Sequence, residues 1–502
     1  MAAQTARVDL SGLRRLAWSR WGVAFALAGA AGIVLRVLLY RSKLGIPDSD
    51  EGLVGLMVRH MLHGEIPTFF WGQTYGGSQE ALLTVPLFAV FGSGWLALRI
   101  VPIALSGVAA LVVWRVGRRL FGEPAGAVAG ALFWIWPPFV IYKLTHQWGF
   151  YASGVVYCGL LILLGLRIAE RPDRVRVGLF GLVLGLAVWQ TSQIVPIAVG
   201  VIVWTIWRQP RCLRQLWVAV PLAVLGALPW LVWNLRHDWG SLTFPIANTT
   251  TYQHRLRLFL SPIVPMMLGI RAPFDQQPLL SAAILVYLIY AALLGAFAFG
   301  AWRSRRANAS ILYVVAAVFP FIYAIHPETL ITYDPGYIVI LTPVMALLLA
   351  QLATSYRWAV LVLVLACAVS GVTLRRMDLY NPGVNRPVMA PRDLTPLIST
   401  LDRLGVDRVY ADYWLAYVLT FDTKERIIAA QNKFTSLTFA GGQATPSDDP
   451  FNRYGPYQSE VKAARHGFVF FRQRTDPHRI IPQLERDGYR RTLVGPFAVY
   501  VR

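Results

Sequence analysis

Three carboxylates stand within four residues of one another in the run Pro47-Asp48-Ser49-Asp50-Glu51, directly after the first long hydrophobic stretch of the chain. A carboxylate near a bilayer is energetically costly unless it faces a polar cavity or a partner. Carboxylates are also among the side chains that enzymes use to move protons. The alternative is structural, because acidic residues stabilise a helix N-terminus by about 0.3–1 kcal/mol. Three acids together favour chemistry over a simple helix start.

Further polar side chains recur between hydrophobic stretches. The first such loop carries Gln73, Tyr75, Glu80 and Arg99, the next carries Lys143, His146 and Gln147, and later ones carry Arg236, His326, Glu328 and Asp334. Arg99 alternatively lies at the membrane interface with its charge in water, and His146-Gln147 alternatively cap a span. If these loops share one face of an apolar bundle, the residues define a site for a charged, partly lipidic substrate.

The elements that position these residues are membrane spans. The chain has 502 residues, of which 56% are hydrophobic and only 15% charged, and its apolar runs reach the roughly 20 residues that cross a bilayer. Arginine clusters in short loops, and this accounts for the net charge of +21 by the positive-inside rule, not by binding to nucleic acid. We therefore expect a polytopic α-helical membrane protein with a cytoplasmic N-terminus, and the use of only 5 lysines among 47 basic residues is typical of a GC-rich bacterial genome. About eleven spans are predicted, near 21–40, 97–116, 124–142, 151–168, 178–207 (two), 216–234, 279–302, 310–325, 338–353 and 358–374.

Two long loops are expected outside the membrane. The apolar segment 80–91 is too short to cross the roughly 30 Å hydrocarbon core. We therefore interpret 41–96 as one external loop with two interfacial helices, an amphipathic one over about 50–63 and a second that begins at Ser78. The second external loop is 236–278. The polar apex at 190–193 predicts a break between two short helices.

The C-terminal part has the composition of a soluble domain. Residues 1–375 form the predicted membrane domain, whereas helical and strand-like stretches alternate over 376–502 and predict a small extracytoplasmic α/β domain. The three cysteines indicate no disulfide framework. No phosphate-binding glycine loop is present, which argues against a nucleotide-sugar or ATP substrate.

Several segments together resemble GT-C glycosyltransferases, specifically the bacterial protein-mannosyltransferase-like and aminoarabinose-transferase-like enzymes of the family 39 type. The resemblance covers about residues 21–200. The segments that carry it are Asp50–Met57, His63–Pro67, Trp71–Glu80, Phe91-Gly92, Ala97–Arg99, Gly117–Gly122 and Trp136–Pro138.

This resemblance implies a polyprenyl-phosphate sugar donor, a glycan or protein acceptor, and Asp50 as the general base with Glu51 beside it. Many relatives carry a second acid after the third span, where this chain has His146-Gln147. We expect Arg99, Lys143 and Arg236 at the donor phosphate. We expect Asp48, Gln73, Tyr75, Glu80, His146 and Gln147 around the substrate.

The sequence is also compatible with a metal cofactor and with two functions other than sugar transfer. The acid run also resembles a metal-ligand run, so Mg²⁺ or Mn²⁺ is retained as a candidate cofactor with no ligand residue assigned. A transporter or flippase of lipid-linked sugars would also need charges within the membrane, although such proteins usually contain paired broken helices in internal repeats. A non-catalytic membrane scaffold is the third alternative.

Overall fold

The computed structural model describes residues 20–242, 250–273, 283–325, 334–351, 356–377, 390–432, 435, 437–440, 443–446, 452–472 and 480–502. The predicted loop residues His326 and Glu328 lie outside this part of the chain, as does part of the 236–278 loop.

Helices make up most of the described chain before residue 377. The first eleven are α1 (Arg20–Arg41), α2 (Ser49–Leu62), α3 (Gln79–Phe91), α4 (Trp95–Phe121), α5 (Glu123–Ile135), α6 (Pro138–Lys143), α7 (Tyr151–Glu170), α8 (Arg174–Gln190), α9 (Ile194–Arg208), α10 (Leu216–Gly226) and α11 (Leu228–Arg236). They are followed by α12 (Tyr252–Leu258), α13 (Val264–Leu268), α14 (Ala283–Ser304), α15 (Ser310–Tyr323), α16 (Thr342–Ala350) and α17 (Tyr356–Arg376).

The chain is an integral membrane protein by the length and composition of its helices. Within the described residues, four helices are long and apolar enough to cross a membrane: Gly22–Arg41, Trp95–Phe121, Tyr151–Glu170 and Tyr356–Arg376. The segments Pro210–Gly226 and Leu228–Arg236, bent by 67°, make a fifth if they are one span. Shorter apolar helices occupy several other predicted spans. The total of eleven crossings remains a prediction.

The predicted break at 190–193 is confirmed, and its polar residues have a clear use. Helix α8 ends at Gln190 and α9 begins at Ile194. The Gln190 carbonyl accepts a 2.9 Å hydrogen bond from the Gly77 amide, and its side chain donates to the Gly149 carbonyl at 2.9 Å. A second break, which the sequence does not predict, lies at Ala227 where α10 and α11 meet. The third predicted span is also interrupted, at Trp136-Pro137.

Both predicted helices of the 41–96 loop are present, but their surroundings differ from the expectation. The sequence predicts that Glu51 and Gly55 lie on the polar face of a surface helix, whereas both are buried in α2. A Cβ added at Gly52 would lie 2.8 Å from the Tyr417 carbonyl oxygen. A second helix therefore crosses α2 at the closest distance that glycine permits. Ser78 precedes α3 as predicted, yet its hydroxyl makes no capping hydrogen bond.

The C-terminal region contains a mixed α/β arrangement. Its central sheet has the strand order β2-β1-β5-β7-β6, in which β1 is parallel to β2 and β5 while β7 is antiparallel to β5 and β6. The strands are β1 (Arg408–Ala411), β2 (Ile428–Ala430), β5 (Gly467–Phe471), β6 (Arg490–Val494) and β7 (Phe497–Val501), with a separate hairpin of β3 (Leu437–Ala440) and β4 (Gln443–Pro446). The helices are α18 (Thr395–Arg403), α19 (Tyr413–Asp422), α20 (Gly455–Ala463) and α21 (Ile481–Arg486).

One hydrophobic core joins the C-terminal region to the first loop. It contains Leu53 and Met57 of α2, Phe88 of α3, and Tyr417 and Phe421 of α19, together with the central strands. Because α2 packs directly on α19, residues around position 50 meet residues around position 413. That contact sets the geometry of the acid cluster.

Candidate active site

The three carboxylates of the acid cluster point to three different parts of the chain. Asp48 is the residue before α2, so its side chain lies at the helix start, while Asp50 and Glu51 lie in the first turn. Successive helical residues are rotated by about 100°, so Asp50 and Glu51 face different neighbours. Asp48 and Glu51 are buried, whereas Asp50 is partly exposed.

Glu51 forms a buried ion pair with Arg99 of α4. The Arg99 Nε donates to Glu51 Oε1 at 2.6 Å and its Nη2 donates to Oε2 at 2.5 Å, while Nη1 donates to the Gly45 carbonyl at 3.0 Å. Burial alone would raise the pKa of Glu51, but the Arg99 guanidinium outweighs it and holds that pKa below its usual value. The predicted contact of Arg99 with a donor phosphate is at odds with this geometry, because the guanidinium is 1% exposed and already paired.

Asp48 is held by the start of its own helix and by Trp148. Its Oδ1 accepts a 2.9 Å hydrogen bond from the Glu51 amide, and both carboxylate oxygens lie 2.9 Å from the Trp148 indole nitrogen. Burial, followed by the charges of Asp50 and Glu51, raises the pKa of Asp48 to about 7. Asp48 thus caps α2. Its carboxylate is buried and hydrogen-bonded, so the predicted contact with substrate has no exposed surface to use.

Asp50 is bound from the C-terminal region. The Tyr413 hydroxyl donates a short hydrogen bond to Asp50 Oδ1. Arg453 is a charged neighbour of both side chains, with its guanidinium carbon 5.6 Å from the centre of the Tyr413 ring. Burial and the nearby Asp50 carboxylate hold the pKa of Tyr413 well above its usual value. Tyr413 therefore acts as a hydrogen-bond donor at neutral pH.

Gln73 and Tyr75 lie on the same side as Asp50. With its amide oxygen turned toward Arg453, Gln73 accepts two hydrogen bonds of 3.2 Å from that guanidinium. Tyr75 is partly exposed, and its ring centre lies 6.4 Å from that of Phe150. These two predicted substrate residues are therefore near the predicted base.

Of the three cations predicted at the donor phosphate, Lys143 is the one on the side that carries Asp50, Gln73 and Tyr75. Its Nζ lies 3.5 Å from Asp334 Oδ2 and 4.0 Å from the centre of the Trp148 ring. The Tyr151 phenol is within electrostatic range of Asp50, Tyr75 and Asp334. A Cβ at Gly336 would come within 3.3 Å of the Tyr151 hydroxyl and of Lys143 Cε. Lys143, Asp334 and Tyr151 thus form one wall of a polar region whose other wall carries Asp50.

His146 and Gln147 lie beneath this region and are buried. His146 stacks on Trp148 at 4.8 Å, and its Nδ1 is 3.1 Å from the Tyr142 carbonyl oxygen. Burial, followed by the charge of Arg99, lowers the pKa of His146 to about 4. The Gln147 amide donates to Glu51 Oε1 at 3.2 Å. Both residues are buried beside the acid cluster, and neither exposes a surface that a sugar could contact.

Glu80 and Arg236 occupy separate positions. Glu80 is buried and accepts hydrogen bonds of 2.7 Å from the Ser153 amide and hydroxyl, so it caps the start of α7. Burial raises the pKa of Glu80. Arg236 is exposed at the end of α11. Within the described residues, no contact joins Arg236 to the acid cluster.

The acid cluster does not fit a divalent metal. Asp48 is engaged by Trp148 and Glu51 by Arg99, so the carboxylates do not converge on one point. Over the described ranges, no three His, Cys, Asp or Glu side chains are arranged to hold a metal ion. The Mg²⁺ or Mn²⁺ expectation therefore has no support from the geometry.

No pattern in the sequence marks Tyr413, Arg453, Trp148 or Tyr151 as site residues, and Asp334 stands out only as a polar loop residue. Asp412 marks a helix start, since its side chain accepts a hydrogen bond from the Trp414 amide. That local signal predicts α19. It carries no information about the contact with Asp50, which lies 363 residues away.

Comparisons with known proteins agree with the resemblance of the first loop. A sequence profile of the family described as dolichyl-phosphate-mannose-protein mannosyltransferase matches residues 81–233. No match is found among curated protein sequences. The fold is that of ArnT from Cupriavidus metallidurans in the apo state, at a TM-score of 0.61 and 15% identity over 95% of this chain and 97% of that chain.

The same protein bound to undecaprenyl phosphate matches at a TM-score of 0.56 and 15% identity, covering 96% of this chain and 97% of that one. The oligosaccharyltransferase of Archaeoglobus fulgidus with zinc and sulfate matches at a TM-score of 0.49 and 12% identity, covering 89% of this chain and 68% of that one. The fold and the profile together confirm that the chain resembles GT-C glycosyltransferases.

Proposed function

We propose that this protein is a membrane glycosyltransferase that moves a sugar from a polyprenyl-phosphate donor to an acceptor hydroxyl. The sugar would be of the mannose or arabinose type and the acceptor a glycan or a protein. The reaction would occur on the extracytoplasmic face of a bacterial plasma membrane. The observation that carries the proposal is Asp50, the one partly exposed carboxylate of the acid cluster, within an ArnT-like fold.

Asp50 is proposed as the general base. The acceptor oxygen forms a bond to the anomeric carbon, while its proton passes to Asp50. The bond from that carbon to the phosphate oxygen breaks, and the electron pair leaves with the polyprenyl phosphate. Attack opposite the leaving group inverts the anomeric carbon. A positioned base of this kind contributes about 10²–10⁴-fold to the rate.

The leaving phosphate needs positive charge in a region with little water. Among the three predicted cations, Lys143 suits this role best because it is only partly buried and lies on the wall that faces Asp50. Its partner Asp334 is 3.5 Å away, a distance longer than a tight ion pair. Lys143 can therefore turn from Asp334 to a phosphate. ArnT, which shares the fold, binds undecaprenyl phosphate, and this supports a lipid phosphate as the donor.

The test is transfer of labelled mannose or arabinose from the polyprenyl phosphate to candidate acceptors by purified protein. Asp50→Asn should lower the turnover number by at least about 100-fold. The matched control is Asp402→Asn, which makes the same change at an exposed ion pair of the C-terminal region. Equal turnover by wild type and Asp50→Asn would refute Asp50 as the base. Movement of labelled lipid across vesicles, without transfer, would support the transporter alternative.

A further inference from the structure

The predicted base is completed by two residues from the opposite end of the chain. Tyr413 at the start of α19 donates its hydroxyl hydrogen bond to Asp50, and the Arg453 guanidinium is a charged neighbour of both side chains, with its carbon 5.6 Å from the centre of the Tyr413 ring. We propose that Tyr413 and Arg453 are positioning residues for transfer, so that the C-terminal region supplies part of the reaction site. This inference rests on the proposed role of Asp50.

The position of Tyr413 is fixed by its backbone as well as by its hydroxyl. The Ser49 hydroxyl donates a short hydrogen bond to the Tyr413 carbonyl. One turn further along α2, Gly52 lies against the backbone of Tyr417 and Val418, where a Cβ would come within 2.8 Å of the Tyr417 carbonyl oxygen. Because the two helices are in backbone contact at this crossing, the Tyr413 backbone cannot move away from Asp50 without separating α2 from α19.

Arg453 ties the same point to the 41–96 loop. Its amide donates to the Tyr417 hydroxyl at 2.7 Å, and its Nη1 donates to the Gly72 carbonyl at 3.2 Å. Gln73 accepts from the same guanidinium. Arg453 therefore connects the segment before α20, the start of α19 and the loop that carries Gln73. A positive charge beside a phenol makes its hydroxyl a stronger hydrogen-bond donor, so Arg453 strengthens the bond from Tyr413 to Asp50.

A second group of contacts holds the C-terminal region on the other end of α2. Glu425 accepts hydrogen bonds from Arg59 at 3.3 Å and from Tyr457 at 2.6 Å, and it lies 2.8 Å from the His60 Nε2. The C-terminal region is thus attached at both ends of α2. Tyr413 is at the end that carries the acid cluster.

The consequence concerns the direction of the Asp50 carboxylate. One oxygen is occupied by Tyr413, so the other is presented to the acceptor hydroxyl in a fixed direction. Without the Tyr413 hydroxyl the carboxylate can rotate, and a misplacement of about 1 Å can lower a rate by about 100-fold. Affinity for the donor lipid should change little, because neither residue is proposed to contact the lipid phosphate.

The experiment compares Tyr413→Phe with Tyr410→Phe in the transfer assay. Both changes remove a hydroxyl from an aromatic ring of the C-terminal region, but Tyr410 lies in β1 and its ring contacts His466 and Phe468. We expect Tyr413→Phe to lower kcat by about 10–100-fold at an unchanged donor KM. Tyr410→Phe should keep the wild-type kcat.

Arg453 is tested by a conservative pair. Arg453→Gln should lower kcat, and Arg453→Lys should restore part of it because the cationic donor is kept while the planar two-point contact is lost. A wild-type kcat for Tyr413→Phe, beside an inactive Asp50→Asn, would overturn this inference and leave the proposed function intact. Equal turnover by wild type and Asp50→Asn would refute both the role of Asp50 as the base and the positioning role of Tyr413 and Arg453. A raised donor KM at unchanged kcat in Tyr413→Phe would also overturn the positioning role.

Discussion

Replacing Arg99 by Met isolates the Glu51 carboxylate in a buried place and allows the energy of this ion pair to be measured. Glu51 is 0% exposed and both of its oxygens accept from Arg99. Breaking a buried pair on one side typically costs about 3–5 kcal/mol. The isolated carboxylate can escape this cost by taking up a proton, because burial without Arg99 raises its pKa. The free energy needed to protonate Glu51 therefore sets an upper limit on the electrostatic part of the stability that Arg99→Met loses.

That limit follows from linkage. Holding a proton at pH 7 on a carboxyl whose unfolded pKa is about 4.3 costs about 1.4 kcal/mol for each of roughly 2.7 pH units, or about 3.8 kcal/mol. In the wild type the pKa of Glu51 is lowered, so its stabilising contribution is present above about pH 4.3 and is lost only at lower pH. The stability gap between wild type and Arg99→Met should therefore shrink by about 1.4 kcal/mol per pH unit on acidification from pH 7 toward about pH 4.5.

The reverse substitution lacks this escape. Glu51→Gln leaves a buried guanidinium that cannot lose its proton, so it should cost at least as much as Arg99→Met at pH 7. The double variant Glu51→Gln with Arg99→Met buries no charge. It should be more stable at pH 7 than either single variant, because paired polar partners removed together cost less than one removed alone.

The assay is thermal unfolding of detergent-purified protein between about pH 5 and 7, the range over which the cost of protonating Glu51 changes most. The chain supplies its own reporters, since the buried free thiols of Cys158 and Cys212 become accessible to a fluorogenic dye on unfolding, above the baseline of the partly exposed Cys367. A loss for Arg99→Met that does not vary with pH would refute the reasoning. So would a double variant whose loss equals the sum of the single losses. If Arg99 instead bound donor phosphate, its removal would raise the donor KM and leave the unfolding midpoint unchanged.

Three further predictions concern the support of the site. Burial would lower the pKa of His60, but hydrogen bonds to two glutamates outweigh it and raise that pKa. The stabilisation of the fold by His60 is therefore complete below about pH 6.5 and is lost as pH rises through the raised pKa. His60→Gln should flatten the pH dependence of the unfolding midpoint near neutrality, and an unchanged pH dependence would count against this. Gly52→Ala places a methyl group against backbone and should cost about 1–3 kcal/mol, whereas Gly29→Ala, with nothing within 4 Å, should not lower the midpoint; equal midpoints would contradict the close crossing. Glu80→Gln keeps an oxygen that accepts from Ser153 and should be tolerated, while Glu80→Leu should cost about 0.5–2 kcal/mol as a lost helix cap, a difference that the same thermal assay measures.

The local elements could be predicted from the sequence because their signals are local. The sequence predicts the helices of the 41–96 loop over about 50–63 and from Ser78, and they occur as Ser49–Leu62 and Gln79–Phe91. The break after Gln190 followed from polar residues inside an apolar run. Strands β1, β2 and β5 lie within the strand-like stretches that the sequence predicts at Asp407–Ala411, Arg426–Ala430 and Gly467–Phe471. Each of these depends on residues within a few positions of one another.

The partners of the charged residues could not be predicted, because they depend on which distant segments pack together. Arg99 and Glu51 are 48 residues apart, and Asp50 and Tyr413 are 363 apart. No periodicity connects such positions. The amphipathic interpretation of α2 failed for the same reason. Gly52 and Gly55 would lie on an exposed polar face only if no other element packed against that face of α2. In the structure they allow α19 to approach it closely.

The acid cluster is compact in sequence but divided in space, and this division is what allows three acids to coexist. Arg99 neutralises Glu51, and the raised pKa of about 7 lets Asp48 share a proton near neutral pH. Repulsion among the three carboxylates is thereby reduced without a metal ion. Asp50 is left as the member that faces the polar region, and its direction is set by Tyr413. The neighbours of the proposed base thus have a structural use that explains their proximity, since they anchor the first turn of α2 from two sides and leave Asp50 as the acid that faces the polar region.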